Sequence, residues 1–311
     1  MRGLLALILT GLLGCAAALA QTAGGIAWSY QVQAGVEQAR RTHTPLMFWV
    51  VGRTCDDEDR VKSRELKAFA DRDVLEAAEY FVPVRLSRSA HADQLKTWGI
   101  NPRANLIIVF STPEGEKIDV LYSSAIVEPE SLVRKMILVV KSYRQSVFDN
   151  QVKPVLEDPE AKPAALTDVL DLVERLSMTQ ADELVIALLE RSDLDASFRG
   201  KIFLALARLS TPASVDRLLE AAREEDSAAE VLRRCTPDAA ERMLDAIEGD
   251  YADLRPDIYE AAARIVKLPD VRPRRFWDGA TEFAKNKEIK RLRELVTTQA
   301  ERWRKRHDEL R

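Results

Sequence analysis

The side chains best suited to chemistry in this sequence are three cysteines, since a thiolate is both a nucleophile and a redox centre. They are Cys15, Cys55 and Cys235. The three histidines lie far apart and adjoin no recognisable serine or cysteine motif, so each is interpreted as a surface residue. Three cysteines and three histidines are too few for a disulfide-dense scaffold or a zinc ribbon. No glycine-rich phosphate loop or nucleophile elbow occurs, so the sequence predicts no cofactor and no metal.

Cys55 has the most distinctive surroundings. It follows an apolar run and Gly52-Arg53-Thr54, and four acidic residues, Asp56 to Asp59, come directly after it. A helix N-terminus stabilises a nearby anion by about 0.3–1 kcal/mol. Four adjacent carboxylates offset that gain, because each disfavours a second negative charge on the sulfur. The pattern therefore weighs against an activated thiolate at Cys55.

The composition is that of a soluble globular protein with about two domains. The chain has 311 residues, of which 46% are hydrophobic and 31% charged, and its formal net charge is -4. Without a global basic field, binding to nucleic acid is not expected.

The first twenty residues are predicted to be a signal peptide. Arg2 precedes the uncharged apolar run Gly3 to Gly14, which is shorter than the about 20 residues that a membrane-spanning helix needs. Small residues at Ala18 and Ala20 predict cleavage before Gln21. Alternatively, Leu12-Leu13-Gly14-Cys15 resembles a bacterial lipobox, and cleavage after Gly14 would leave a lipidated Cys15. The prediction is a periplasmic or secreted bacterial protein, and under the lipobox alternative its membrane attachment would be a lipid at Cys15.

Residues 26–148 alternate between strand and helix patterns, which predicts an α/β sheet with helices on its faces. The predicted strands are Leu46 to Val51, Tyr80 to Leu86, Leu106 to Phe110 and Ile118 to Tyr122. The predicted helices are Val32 to Thr42, Asp59 to Ala78, Ala92 to Trp98 and Glu130 to Phe148.

A boundary between two domains is predicted over residues 149–163. This segment has three prolines, four acidic residues and little apolar content, so it is expected to continue neither neighbouring element.

Residues 164–311 show only amphipathic helix patterns. Two stretches, beginning at Ser210 and Cys235, share a Thr-Pro pair and a similar core, and a looser copy begins at Thr179. In the first two stretches, Thr is predicted at the N-cap and Pro at the first helical position. The helices before these copies are expected to begin near Ala164, Asp195, Asp226 and Arg255, about 30 residues apart. This half resembles HEAT-type repeats, which implies an α-solenoid with a protein-binding surface.

The first half resembles a thioredoxin-like domain of the secreted kind. The residues that carry the resemblance are Trp28, Phe48 to Val51, Gly52 to Cys55, Phe81 to Val84 and Trp98-Gly99-Ile100. The family has Cys-x-x-Cys at a helix N-terminus and a cis-proline before the third strand. Here Glu58 occupies the second cysteine position, and Ala104, after Arg103, stands where the proline is expected. The resemblance therefore implies the fold without the dithiol chemistry.

Two further features concern the mature chain. An interdomain Cys55–Cys235 disulfide is one prediction, and two separate thiols are the alternative. Charge is also uneven: residues 216–260 hold 14 acidic and 6 basic residues, whereas residues 264–311 hold 15 basic and 8 acidic ones. The basic end is interpreted as a capping helix or as a contact surface for an acidic partner or an anionic headgroup. The candidate surface residues are Arg291, Arg302, Trp303, Arg304, Lys305 and Arg306.

The function expected from these features is an exported, non-catalytic protein-interaction module. Its partners are expected to be proteins, of an identity that the sequence does not give. The alternative is a single-cysteine thiol-disulfide oxidoreductase or isomerase that forms mixed disulfides through Cys55.

Overall fold

The first region of the chain is a small mixed sheet with helices. The structure, a computed structural model, describes residues 25–51, 67–101, 107–122 and 124–307. The elements of this region are α1 (Val32–Thr42), β1 (Leu46–Val51), α2 (Arg72–Ala78), β2 (Val82–Ser87), α3 (Ala92–Thr97), β3 (Ile107–Ser111), β4 (Lys117–Tyr122), α4 (Ser124–Val127) and α5 (Pro129–Val147). The predicted alternation of strands and helices is confirmed for these residues.

The four strands lie in the order β2-β1-β3-β4. Strand β1 runs parallel to β2 and antiparallel to β3, and β4 is antiparallel to β3. Phe48 in β1 is opposite Val84 on one side and Val109 on the other. Because β1 is central and covered on both faces, its sequence is a continuous apolar run instead of an alternating one.

Each face of the sheet has its own hydrophobic core. Met47 and Trp49 point to the face that α2 and α5 cover, and Phe48 and Val50 point to the opposite face with α1. Gly35 of α1 allows the closest approach, because a Cβ at this position would collide with a valine side chain of β2. Sheet and helices are thus held by two apolar layers.

The helix expected over Asp59 to Ala78 ends at its predicted residue but is interrupted before Arg72. Residues 52–66 lie outside the described residues, and the chain leaves the helical conformation at Phe69 before α2 begins at Arg72. The Asp71 carboxylate accepts hydrogen bonds from the backbone N–H groups of Asp73 and Val74, at 3.0 and 3.3 Å. This N-cap begins a separate helix, which apolar periodicity alone did not indicate.

The break expected at Asp149 is also wrong. Helix α5 passes into a π-helical turn at Phe148–Val152 and then into α6 (Lys153–Leu156). Pro154 lies in the first turn of α6 and, because it has no N–H, donates no hydrogen bond to the π-helical turn before it. Val152 and Leu156 are buried and anchor the extension. Only the second half of the predicted linker is irregular.

From Pro163 onward every regular element among the described residues is helical. The helices are α7 (Pro163–Leu176), α8 (Asp182–Ala187), α9 (Ala196–Leu209), α10 (Pro212–Ala221), α11 (Asp226–Val231), α12 (Pro237–Glu248), α13 (Arg255–Ile265), α14 (Arg274–Gly279) and α15 (Glu282–His307), with short 3₁₀ turns at Thr179–Ala181, Leu188–Glu190, Leu232–Arg234 and Ala252–Leu254. The four expected helix starts are confirmed to within one residue.

The Thr-Pro caps are confirmed in position and differ in detail. Thr211 is the N-cap of α10, and its hydroxyl accepts a hydrogen bond from the Ser214 N–H at 3.1 Å. Thr236 is the N-cap of α12 but its side chain makes no such bond. Its backbone N–H instead donates to the Ser210 hydroxyl at 3.0 Å, which joins the two copies directly.

Side chains connect successive helix pairs over roughly one repeat length. Arg208 donates to Glu174 at 3.1 Å, Arg223 to Asp253 at 3.2 Å, and Arg242 to Asp216 at 2.6 Å. The partners are 34, 30 and 26 residues apart, respectively. Each helix pair therefore contacts the pair that follows it.

The most buried of these connections is made by Asp182, which is 7% exposed. Its carboxylate accepts hydrogen bonds from the Thr211 hydroxyl, at 2.5 Å, and from the Ser214 hydroxyl. A buried carboxylate requires such donors, because leaving it without partners in an apolar interior is costly. The network fixes α8 against the N-terminus of α10.

Helix α5 joins the two regions of the chain. Its residues Tyr143 and Val147 belong to the same apolar cluster as the helices that follow. The Tyr143 hydroxyl donates to the His43 carbonyl at 3.1 Å, and Arg175 of α7 donates to the Arg41 carbonyl at 2.7 Å. The end of α1 thereby contacts the helical region.

Candidate functional site

The two sequence segments expected to form a thiol site adjoin the same edge of the sheet. Cys55 with Asp56 to Asp59, and Arg103 with Ala104, lie outside the described residues, as does Cys15. The strand residues next to these segments are described, and Val50 of β1 is paired with Ile107 of β3. The segment after β1 therefore begins beside the point where the segment before β3 ends.

The described polar groups at this edge come from the end of β2. The Arg88 N–H donates to the Val51 carbonyl at 3.0 Å, and burial lowers the pKa of the Arg88 guanidinium. His91 Nδ1 lies 3.0 Å from the Ser87 carbonyl oxygen. Because a carbonyl only accepts, Nδ1 carries the hydrogen and Nε2 is the free acceptor. Among the described histidines, His91 lies closest in sequence to the strand ends at this edge. The sequence alone did not single out this histidine.

An aromatic cluster lies beside the same strands. Trp28, Trp49 and Phe69 pack with ring centroids 5.2–5.5 Å apart. The Arg85 guanidinium lies 4.8 Å from the Trp49 ring centre and 5.4 Å from that of Tyr30. Tyr30 is 64% exposed, so this cluster presents an aromatic ring and a cation to solvent.

Cys235 is a buried thiol without a disulfide in the structure. Burial raises the pKa of Cys235 to about 12, and a hydrogen bond with Ser210 acts in the opposite direction. A thiol in this state is a poor nucleophile at neutral pH. Its pairing with Cys55 stays a prediction, because Cys55 lies outside the described residues.

The basic residues of the terminal helix α15 divide into two groups. Arg291 contacts Glu288 at 3.3 Å, and Arg304 contacts Glu241 of α12 at 2.6 Å. Arg302 and Lys305 are exposed, and Trp303 is half-buried. The side chain of Arg306 is outside the described residues. The predicted contact surface is therefore partly used to hold α15 against its neighbours.

A wide cleft that the sequence did not reveal lies beside α2. It has a volume of about 1240 Å³. Its charged lining residues are Asp71, Asp73, Glu76, Glu79, Glu128, Glu130, Arg134 and Lys305. The recurrence of acidic residues at 73, 76 and 79 was a usable signal, because residues three apart share one face of a helix.

In the part of the chain that the structure describes, no group of three or more His, Cys, Asp and Glu side chains has an arrangement suited to a metal ion. No helix among the described residues combines the length and the apolar character needed to cross a membrane. No family model matches the chain, and no curated protein is significantly similar to it.

Proposed function

We propose that this chain is an exported, non-catalytic protein-interaction module of the bacterial periplasm or envelope. It combines a thioredoxin-like domain that lacks the second thiol with a HEAT-like α-solenoid. The mixed four-stranded sheet between helices supports the first part of the proposal. The confirmed helix starts, about 30 residues apart, support the second.

The observation that carries the proposal is the series of hydrogen bonds between successive helix pairs. Hydrogen bonds over 26, 30 and 34 residues recur from Glu174 to Asp253, and each joins neighbouring pairs. Repeats that contact only their neighbours build an elongated array with an extended surface. Surfaces of this kind suit recognition of proteins better than the enclosure of a small substrate.

The expectation that the thiols are not catalytic rests on their chemistry. Disulfide exchange by a single cysteine produces a mixed disulfide, and a second thiol is needed to release it. Glu58 cannot supply that thiol, and Cys235 is buried with a raised pKa. The acidic residues after Cys55 also disfavour its thiolate.

Insulin reduction and envelope capture test the proposal together. The mature chain is expected to reduce insulin no faster than the Cys55→Ser variant, and both are expected to capture the same proteins from an envelope fraction. Turnover at the rate of a dithiol oxidoreductase would refute the non-catalytic assignment. Partners that are lost in Cys55→Ser and released by reductant would favour the single-cysteine enzyme instead.

Mapping of the mature chain tests the remaining parts. N-terminal sequencing distinguishes a start at Gln21 from a blocked, lipidated Cys15. Non-reducing peptide mapping decides whether Cys55 and Cys235 are joined. Recovery of the protein only from the cytoplasmic fraction would refute export.

A further inference from the structure

The cleft beside α2 is a large, open groove. Helix α2 lines one side, and residues 127–138, around the start of α5, line the other. Its volume of about 1240 Å³ and its opening to solvent leave both sides accessible to a segment of another protein.

The cleft is strongly acidic. Six carboxylates line it, against the two cationic side chains of Arg134 and Lys305. Glu76 is paired with Arg72 at 3.0 Å. The side chains of Asp73, Glu79 and Glu130 are exposed and form no ion pair with another described residue. A basic ligand would therefore meet at least three carboxylates that neither Arg134, Lys305 nor another described residue holds in an ion pair.

Tyr80 also lines the cleft and is half-buried. Burial raises the pKa of the Tyr80 hydroxyl, the Arg144 guanidinium opposes this rise, and the charges of Glu79 and Glu76 add to it.

The cleft also has an apolar side. Val127, Val133 and Ile137 line it in a half-buried state, and Leu138 is 56% exposed. Leu138 is one of few large apolar side chains this exposed among the described residues. A ligand with apolar and basic faces would cover this side chain and pair with the carboxylates at once.

We propose that this cleft binds a basic amphipathic segment of a partner protein, an inference that rests on the proposed interaction function. The carboxylates are spread along α2 and the start of α5 and do not converge on one point. This arrangement suits several lysine or arginine side chains better than a single metal ion. Lys305 of α15 already lies on the cleft, so one long cationic side chain is accommodated there. A second copy of the chain and a free divalent cation are alternative occupants that the experiment distinguishes.

The probe is a fluorescent 14-residue peptide of lysine and leucine with helical spacing, and a glutamate–leucine peptide is its control. Binding to the full mature chain is followed by anisotropy. The triple variant Asp73→Asn, Glu79→Gln, Glu130→Gln is expected to bind the basic peptide about tenfold more weakly, since each exposed pair contributes about twofold. This difference is expected to shrink in 0.5 M salt, which screens exposed charges.

A matched triple variant controls for total charge. Asp168→Asn, Glu183→Gln and Glu230→Gln remove three exposed carboxylates from the helical region, and less than a twofold change is expected. Leu138→Ser leaves the charge unaltered and is expected to weaken binding about threefold in both low and high salt. Circular dichroism verifies that every variant is folded.

Several results would overturn the assignment. They are a wild type that does not bind the basic peptide at millimolar concentration, a cleft variant that binds like wild type, and a control triple that loses as much affinity. Sedimentation that shows wild-type self-association, abolished in the cleft variant, would identify a second copy as the occupant. Competition by millimolar Ca²⁺ at constant ionic strength would identify a cation site. Envelope partners retained by the cleft variant would remove this site and leave the interaction function standing.

Discussion

Replacing Glu288 with alanine is expected to release the terminal helix from the rest of the fold. Glu288 of α15 is 6% exposed and accepts a hydrogen bond from the Tyr259 hydroxyl of α13 at 3.0 Å. Arg272 and Arg291 also contact its carboxylate, each at 3.3 Å. A single buried acid thus connects α13, the segment before α14 and α15.

The expected cost is about 3 kcal/mol. A hydrogen bond to a charged group contributes about 1.5–3 kcal/mol, and the bond from Tyr259 is fully buried. The side chains of Arg272 and Arg291 are 46% and 48% exposed, so solvent screening limits each ion pair to about 0.5 kcal/mol. Glu288→Gln retains an accepting oxygen and is expected to cost only about 1–2 kcal/mol.

Hydrogen exchange measures this effect locally, which matters because a chain with two regions need not unfold in one step. In Glu288→Ala, amides of α15 are expected to exchange about 100-fold faster, the rate equivalent of about 3 kcal/mol. Glu294→Ala, an exposed acid on the same helix, is the matched control and is expected to change exchange less than twofold. Unaltered protection of α15 in Glu288→Ala would refute the assigned role of the buried carboxylate.

Further substitutions, with their controls, test other parts of the fold. Gly35→Ala is expected to lower the free energy of unfolding by about 1–3 kcal/mol, because the added methyl collides with a β2 side chain. Gly200→Ala lies in open space within α9 and is expected to raise the free energy of unfolding by about 0.5–1 kcal/mol. Urea denaturation measures both changes. Asp182→Ala is expected to lower the free energy of unfolding by about 2–4 kcal/mol, and its control, the exposed Asp168→Ala, by less than about 0.5 kcal/mol. Equal urea midpoints for the two variants would contradict a stabilising role of the hydrogen bonds that Asp182 accepts. Because burial raises the pKa of Cys235 to about 12 from 9.0, the stability that its neutral thiol contributes is present below pH 9 and is lost towards pH 12. Between pH 8 and pH 11 the wild type is expected to lose roughly 3 kcal/mol more than Cys235→Ala, and an identical decline in urea midpoints would contradict this.

Elements whose own sequence carries strong signals were predictable. The bounds of α1 and β1 coincide with those expected, because β1 is buried on both faces and its apolar run is continuous. The caps at Asp195 and Thr211 marked helix starts, since a short polar side chain there accepts an otherwise unpaired N–H.

Features that depend on distant contacts were not predictable. The helix over Lys153–Leu156 forms although its proline content indicated a linker, because Val152 and Leu156 are buried. The roles of Arg293 and Arg304 in α15 likewise follow from their partners on α12. For the cleft, the acids of α2 and Lys305 of α15 are brought together only by the complete fold.

The basic residues of the terminal helix α15 have two roles: some hold the helix against its neighbours, and others face solvent. Arg293 pairs with Asp245 and Glu248 of α12, and Arg304 pairs with Glu241 at the other end of the same helix. These contacts align α15 along α12, and this alignment positions Lys305 at the acidic cleft. A basic helix that closes an array must satisfy its neighbours first, because ion pairs between helices compete with any partner for the same cations. The charge left for recognition is then the outward-facing part, which includes the exposed side chains of Lys287, Lys290 and Arg302.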